Sequence, residues 1–331
     1  MNFNRRQFIF TSTLATSALL AGCKKKSETS SDGRPILRIG FFPNITHAQG
    51  LVGVSETATK GAQGWFETRT GAKIEWYPFN AGPSAMEALE IGTVDATYVG
   101  PSPVLNTYIR SNGQEVRVIA GAARGGVALV VQPGSGLKTP ADFRGKKLAT
   151  PAIGNTQDIA ARAWLKAGGL NITQIGGDAQ VVPTANPDQL DLFKTKGIDA
   201  VWTVEPWVSR LEMEAGAEVL LQQDDTFITL LATSVNALNT KRALLKKLVA
   251  AHEELTAKIN SDPAFAKAAV SAAILKQTTK AIPEKLLEHA WPRLKFTTGL
   301  DIKDFQSAMK DAKAVNILPA EADLGNLIVK P

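Results

Sequence analysis

Cysteine occurs once in the 331 residues, at Cys23. No intrachain disulfide can form, and no thiolate set can hold zinc or an iron–sulfur centre. Histidine occurs three times, at His47, His252 and His289, with no Cys/His spacing of a metal site. No G-x-S-x-G elbow, Walker glycine loop or G-x-G-x-x-G following a strand is present. The motif-borne routes to acyl transfer, nucleotide triphosphate binding and dinucleotide binding are therefore missing. Charge is also sparse once its location is considered. The formal net charge is +6 and the pI about 9.3. Five of the 37 basic and two of the 31 acidic residues precede Arg34, which leaves a balance of +3 for the rest. No basic stripe interleaved with aromatics remains, so nucleic acid is not an expected partner.

What is present begins with an export signal. Arg5-Arg6 precedes Phe8 to Leu20, an apolar and hydroxyl stretch too short to span a bilayer as a helix. Leu20-Ala21-Gly22-Cys23 follows and resembles the lipobox of bacterial lipoproteins. That resemblance implies cleavage before Cys23 and its acylation, which would anchor the protein at the periplasmic or extracytoplasmic membrane face. Residues 1–22 are thus expected to be a signal peptide. Residues 23–33, CKKKSETSSDG, are expected to be a flexible polar tether. The twin arginines leave the choice of export route open.

The remainder alternates strand and helix signals, which predicts an α/β fold with mostly parallel sheets. Strands are expected at 37–41, 73–77, 94–99, 116–121, 127–131, 146–150, 180–182, 198–204, 218–221 and 227–232. One helix is expected over 54–70, ended by Gly71. Ser84 reads as a helix cap, and Thr139-Pro140-Ala141-Asp142 as a helix start. From Asn239 onward the pattern is helical. A helical tail with so little strand cannot stand alone, so its simplest packing is against the first set of units. This divides the chain into lobe one, 34–124 plus 226–331, and lobe two, 125–225. Hinges are expected near 121–127 and 222–227.

A recurring device carries the candidate chemistry: a strand end, a small or hydroxyl residue, then a helix. It occurs around Asn44, Thr46 and His47, at Gly82 and Ser84, at Gly100 and Ser102, at Asn155, Thr156 and Gln157, and at Thr184 to Asn186. Helix starts offer unpaired N–H groups and a partial positive charge. Several converging in a cleft suit a small oxyanion without a formal cation. Each turn alone has a plainer role as a cap. Gly154 is read as permitting close backbone approach. Glu205 is an acceptor for a ligand or a first-turn acid, and Trp207 either walls a ligand or packs. Arg124 either pairs with an anion at the cleft mouth or is a solvated surface charge. His47 is read as a hydrogen-bond donor rather than a base or metal ligand.

The segments RIGFFPNITHA, GPSAMEAL, DATYVGPSPVLN, LKTPADFRGKKLATPAIGNTQD and GIDAVWTVEPWVSRLE stand in this order between Arg38 and Glu212. Together they resemble the periplasmic solute-binding proteins of ABC importers for nitrate, aliphatic sulfonates and taurine. The resemblance implies a two-lobed type II periplasmic-binding-protein fold with two crossovers, closing on its ligand by hinge motion. It implies that the turns at 44–47, 82–84, 100–102 and 154–157, with Glu205, line the cleft. A related branch handles the thiamine pyrimidine, and its enzymes use a cysteine-rich motif and pyridoxal phosphate; no cysteine follows Cys23 here.

The expected role is therefore a non-enzymatic, lipid-anchored, monomeric receptor. It would bind a small oxyanion, a sulfonate first and nitrate or bicarbonate next, and deliver it to a permease and ATPase. No cofactor or metal is expected. An exported enzyme using His47 and Glu205, or a sensor domain reporting to a membrane kinase, are the competing classes.

Overall fold

A computed structural model describes residues 28–173, 176–318 and 322–331. The export signal and Cys23 lie outside the described residues. Of the expected tether, residues 28–33 are not loose. Ile36 N donates to Glu28 O at 2.9 Å, Thr29 bridges Pro35, and Glu28 pairs with Lys241 and Arg38.

Two sheets organise the chain. The first has strand order β11-β4-β10-β3-β1-β2, and the second β7-β6-β8-β5-β9. Sheet one comprises β1 (Ile36–Phe41), β2 (Lys73–Pro78), β3 (Ala96–Val99), β4 (Val116–Gly125), β10 (Phe227–Ser234) and β11 (Leu294–Phe296). Sheet two comprises β5 (Val127–Val131), β6 (Lys147–Thr150), β7 (Gln180–Pro183), β8 (Ala200–Val204) and β9 (Glu218–Gln223). Strands β1, β2 and β3 are parallel, as are β6, β7 and β8. The expectation of mostly parallel sheets needs correction at β10 and β5. Strand β10 is antiparallel to β3 and β4, β11 to β4, and β5 to β8 and β9. The reason is connectivity. Parallel neighbours need a crossover helix, whereas β5 and β10 are each entered straight from the other sheet by a few residues.

The first of these links is narrower than the expected 121–127, because β4 continues to Gly125. It consists of Gly125 and Gly126, at φ +73° and +66°. Both are in the left-handed region that glycine occupies without strain. A side chain on Gly125 would run into the Arg293 carbonyl, and one on Gly126 into Leu294. The second link, Asp224 to Thr226, passes beside it, with Asp224 O at 2.9 Å from a Cβ built on Gly125.

The single helix expected over 54–70 is two. Helix α1 (Ala48–Lys60) stops at Gly61, φ +53°, and a 3-10 turn leads to α2 (Trp65–Thr70), which Gly71 ends in the left-handed conformation. Ser84 is not a cap: α3 (Gly82–Glu90) has Ala81 at that position, and exposed Ser84 donates to Ala81 O. Pro140–Phe143 is a 3-10 turn with a full Thr139/Asp142 capping box, because Arg144 turns extended. The other helices of the two βα sets are α4 (Pro101–Arg110), α5 (Thr156–Ala167), α6 (Asn186–Lys194) and α7 (Trp207–Ala215). The tail supplies α8 (Val235–Thr240), α9 (Arg242–Ser261), α10 (Pro263–Thr278), α11 (Glu284–Ala290) and α12 (Ile302–Ala314). Helices α9 and α10 pack on α2 and α1. Helix α12 packs against both α4 and α5, and α11 against α7, so the tail spans both lobes.

The tail is also tied to β4 by a buried polar chain. Tyr98 Oη donates to His252 Nδ1 at 3.0 Å, and His252 Nε2 donates to Gly121 O at 2.7 Å. Gln49 Nε2 donates to Ala122 O at 2.9 Å. Burial holds His252 neutral, with its pKa pushed down to about 4, and His47 likewise to about 3. Both lie below the value of the unfolded chain. The unfolded chain therefore takes up protons that the folded one refuses, and stability present above about pH 6.5 is lost as pH falls. Acidification from pH 7 to 5 is expected to remove about 2 kcal/mol per buried imidazole. Urea unfolding at the two pH values measures it. His252→Phe should cut the pH 7-to-5 loss by about half; an unchanged loss would show that His252 accepts a proton in place.

Candidate ligand site between the lobes

Strand β1 ends where Phe41 and Phe42 meet Pro43, and the chain folds at once into a 3-10 turn, Ile45–His47, continuing as α1. This sharp turn aims short polar side chains at lobe two. His47 stacks on Phe42 with ring centroids 4.4 Å apart, and Phe42 N donates to His47 Nδ1 at 3.4 Å. A neutral imidazole accepting at Nδ1 carries its proton on Nε2, which makes that atom a donor. Thr46 is 1% exposed, and its hydroxyl has no partner among the described residues.

Lobe two answers with the start of α5. Asn155 caps it, accepting from Thr156 N at 2.8 Å. Gln157 is 3% exposed, and its amide has no partner among the described residues. Asn186, at the start of α6, accepts from Thr203 Oγ1 through Oδ1, leaving its NH2 free to donate. These groups surround a cavity of 20 Å³ together with Asn44, Asn80, Gly100, Pro151, Val204 and Ile228. That is room for about one water. No charged side chain lines it, so electrostatic attraction there comes from amide, hydroxyl and imidazole donors and the α5 start. Thr156, Gln157 and Ile228 also wall a larger neighbouring cavity of 220 Å³.

The lobes touch directly here. Trp207 Nε1 donates to Asn44 Oδ1 at 3.1 Å, and Ser102 N donates to Thr156 Oγ1 at 3.5 Å. Gly100 permits the second contact, since a Cβ there would lie 2.6 Å from Thr156 Oγ1. Asn44, Thr46, His47, Gly100, Asn155, Thr156 and Gln157 thus come together around the smaller cavity. Ser102 lines the larger one, and Trp207 joins through Asn44.

Five expectations shift. Gly82 packs on Pro103, and Ser84 is exposed on its own helix, so that turn reaches the smaller cavity only through Asn80 before it. Gly154 has φ +74° with nothing near its missing side chain, so it is required by backbone conformation, not by close approach. Arg124 is neither free for an anion nor solvated: it pairs with Asp304, donates to Asp225 O at 2.7 Å and covers Phe227 at 4.3 Å. Glu205 is fully buried and already engaged by Ser209 N at 3.1 Å, Ser209 Oγ at 2.9 Å and Arg293 Nη1 at 3.0 Å. Trp207 bonds across the cleft instead of only packing.

Arg293 is the residue that sequence reasoning missed. It holds Glu205 and, bidentately, Glu212 at 2.5 and 2.9 Å, while His289 reaches Glu212 at 3.1 Å. Burial pushes the Glu205 carboxyl up, and Arg293 pulls against it. Arg293 stays charged, its pKa raised by Glu212 first and then Glu205. Only its position in the tail, after Trp291-Pro292, is visible in the sequence, and nothing there names a partner. Arg293→Met is expected to cost about 3–5 kcal/mol by leaving a buried carboxylate unpaired. Adding Glu205→Gln should recover much of this. Thermal or urea unfolding of the single and double variants tests it, and equal losses in both would rule the pairing out as the cause.

The pattern of the NMT1-like family matches residues 31–275. A Bacillus subtilis protein named for binding aliphatic sulfonates is 27% identical over 222 residues, 64% of this chain and 61% of its own. The taurine-binding periplasmic protein of Escherichia coli is 28% identical over 153 residues, 46% of each chain. The nitrate/nitrite binding protein of a Nostoc species is 25% identical over 250 residues, 63% of this chain and 54% of its own. The matches thus span roughly half to three fifths of these relatives, all named as binding proteins rather than enzymes. In structure, the alkanesulfonate-binding protein of Xanthomonas axonopodis bound to MOPS superposes with a TM-score of 0.72 at 18% identity, covering 89% of this chain and 98% of that one. The periplasmic nitrate-binding protein of Synechocystis gives 0.69 at 15%, covering 86% and 83%. These likenesses establish the two-lobed type II periplasmic-binding-protein fold, with its two crossovers. By the family pattern, the chain belongs to the NMT1-like family.

Proposed function

We propose that the protein is the substrate-binding lipoprotein of an ABC importer, anchored through Cys23. It captures a small oxyanion between its lobes and passes it to the permease. The observation that carries this reading is the convergence of neutral donors from both lobes on one cleft. Asn44, Thr46 and His47 face Asn155, Gln157 and Asn186, with no charged side chain lining the space. An oxyanion with its charge spread over several oxygens suits many partial charges better than one ion pair. A sulfonate is the preferred head group, in line with the names of the sulfonate and taurine relatives.

A head group larger than a water enters by parting the Trp207–Asn44 contact, and closure around it restores lobe contact at Gly100. Titration of the mature domain with alkanesulfonates or taurine is expected to give saturable heat and a change in tryptophan fluorescence. Gly100→Val should weaken binding by about tenfold or more, equivalent to about 1.4 kcal/mol, with little change in melting temperature, since φ at Gly100 is an ordinary −75°. No heat from sulfonates, nitrate and bicarbonate alike would end the oxyanion reading.

A further inference from the structure

The neutral cavity is only part of the interlobe space. Beyond Thr156, Gln157 and Ile228 lies the 220 Å³ cavity, and its lining has a different chemistry. Its nearer walls are apolar, formed by Val127, Ile159, Phe227 and Ile228. Its far wall carries three carboxylates, Asp225, Asp304 and Asp311, and no lysine or arginine lines it. Arg124 behind the wall compensates part of this charge through Asp304, with Asp225 at 3.9 Å, and Lys295 reaches Asp225 at 3.7 Å. Asp311 has no ion-pair partner among the described residues. Burial pushes its carboxyl up.

A second feature points into the same space. Gln157 borders both cavities, is 3% exposed and has no side-chain partner among the described residues. A buried amide left unpaired costs free energy unless a ligand completes it. The order along the cleft is therefore neutral donors, then an apolar girdle, then acids. A simple anion would complete the first zone and leave the last a repulsive one.

We propose that the ligand is a zwitterion, with its oxyanion among the neutral donors, a short apolar spacer at the girdle and a protonated amine facing Asp311 and its neighbours. This rests on the oxyanion reading above and narrows it: nitrate, bicarbonate and unsubstituted alkanesulfonates lack the group that the acidic wall takes. Asp311 is the specificity-determining residue, because Asp304 is already held by Arg124.

Matched pairs test it by calorimetry on the mature protein: taurine against ethanesulfonate, and 3-aminopropane-1-sulfonate against propane-1-sulfonate. The amine-bearing member of each pair is expected to bind at least about tenfold tighter, the effect of one partly desolvated ion pair. Asp311→Asn should bring the ratio within each pair toward one, and Asp311→Ala serves as a second variant should the first unfold. Equal affinities within the pairs of the unaltered protein, or a preference that survives both substitutions, would overturn the proposal while leaving the oxyanion reading in place. No binding by any of the four would overturn both.

Discussion

The lobes depend on the charge cluster that Arg293 makes at the crossover. Glu205 and Glu212 belong to lobe two, whereas Arg293 immediately precedes β11, which pairs with β4 of sheet one. The carbonyl of the same arginine lies against Gly125, and the next residue, Leu294, against Gly126. One residue therefore ties lobe two by its side chain and crowds the interlobe link by its backbone. A buried ion pair of this kind contributes little net stability over an apolar substitute, because desolvation offsets its attraction. Its value is positional. It fixes where the two glycines bend, and so the path by which the lobes meet.

That path explains the contrast between the two sides of the molecule. Behind the link the contacts are charged and buried, and reorganising them is costly. At the cleft they are weak and neutral: one indole-to-amide bond, and one long N–H to hydroxyl contact over a glycine. A pair of lobes held strongly at the back and weakly at the front rotates about the back. A ligand then supplies at the front the hydrogen bonds that Thr46, His47 and Gln157 lack, and its binding free energy is coupled to closure.

Much of this could be read from the chain, and the parts that could not share a cause. The turns at Asn44 to His47 and Asn155 to Gln157 are local devices, so their strand-to-helix signals identified both walls of the cleft. The departures are tertiary. Nothing near Glu205 in sequence reveals that its partner is Arg293, 88 residues later. Arg124 has Asp304 180 residues away. The reversed strands β5 and β10 follow from links too short for a helix, and their length became visible only when β4 proved to reach Gly125. Gly82 and Ser84 misled because the same helix-start pattern serves packing at one site and exposure to the cleft at another.

The acid wall follows the same logic at longer range. Asp225 comes from the second interlobe link, whereas Asp304 and Asp311 come from α12, at the far end of the chain. Helix α12 lies against α5, whose first turn carries Thr156 and Gln157. The tail thus brings charge to a cleft whose own strand–turn–helix units are neutral. Two parts of the chain under separate constraints meet in one cavity: the βα turns, where helix starts favour anions, and the tail, where carboxylates favour cations. A site built this way can discriminate among ligands that share a head group. The first wall accepts the oxyanion common to all of them, and the second responds only to what lies at the other end.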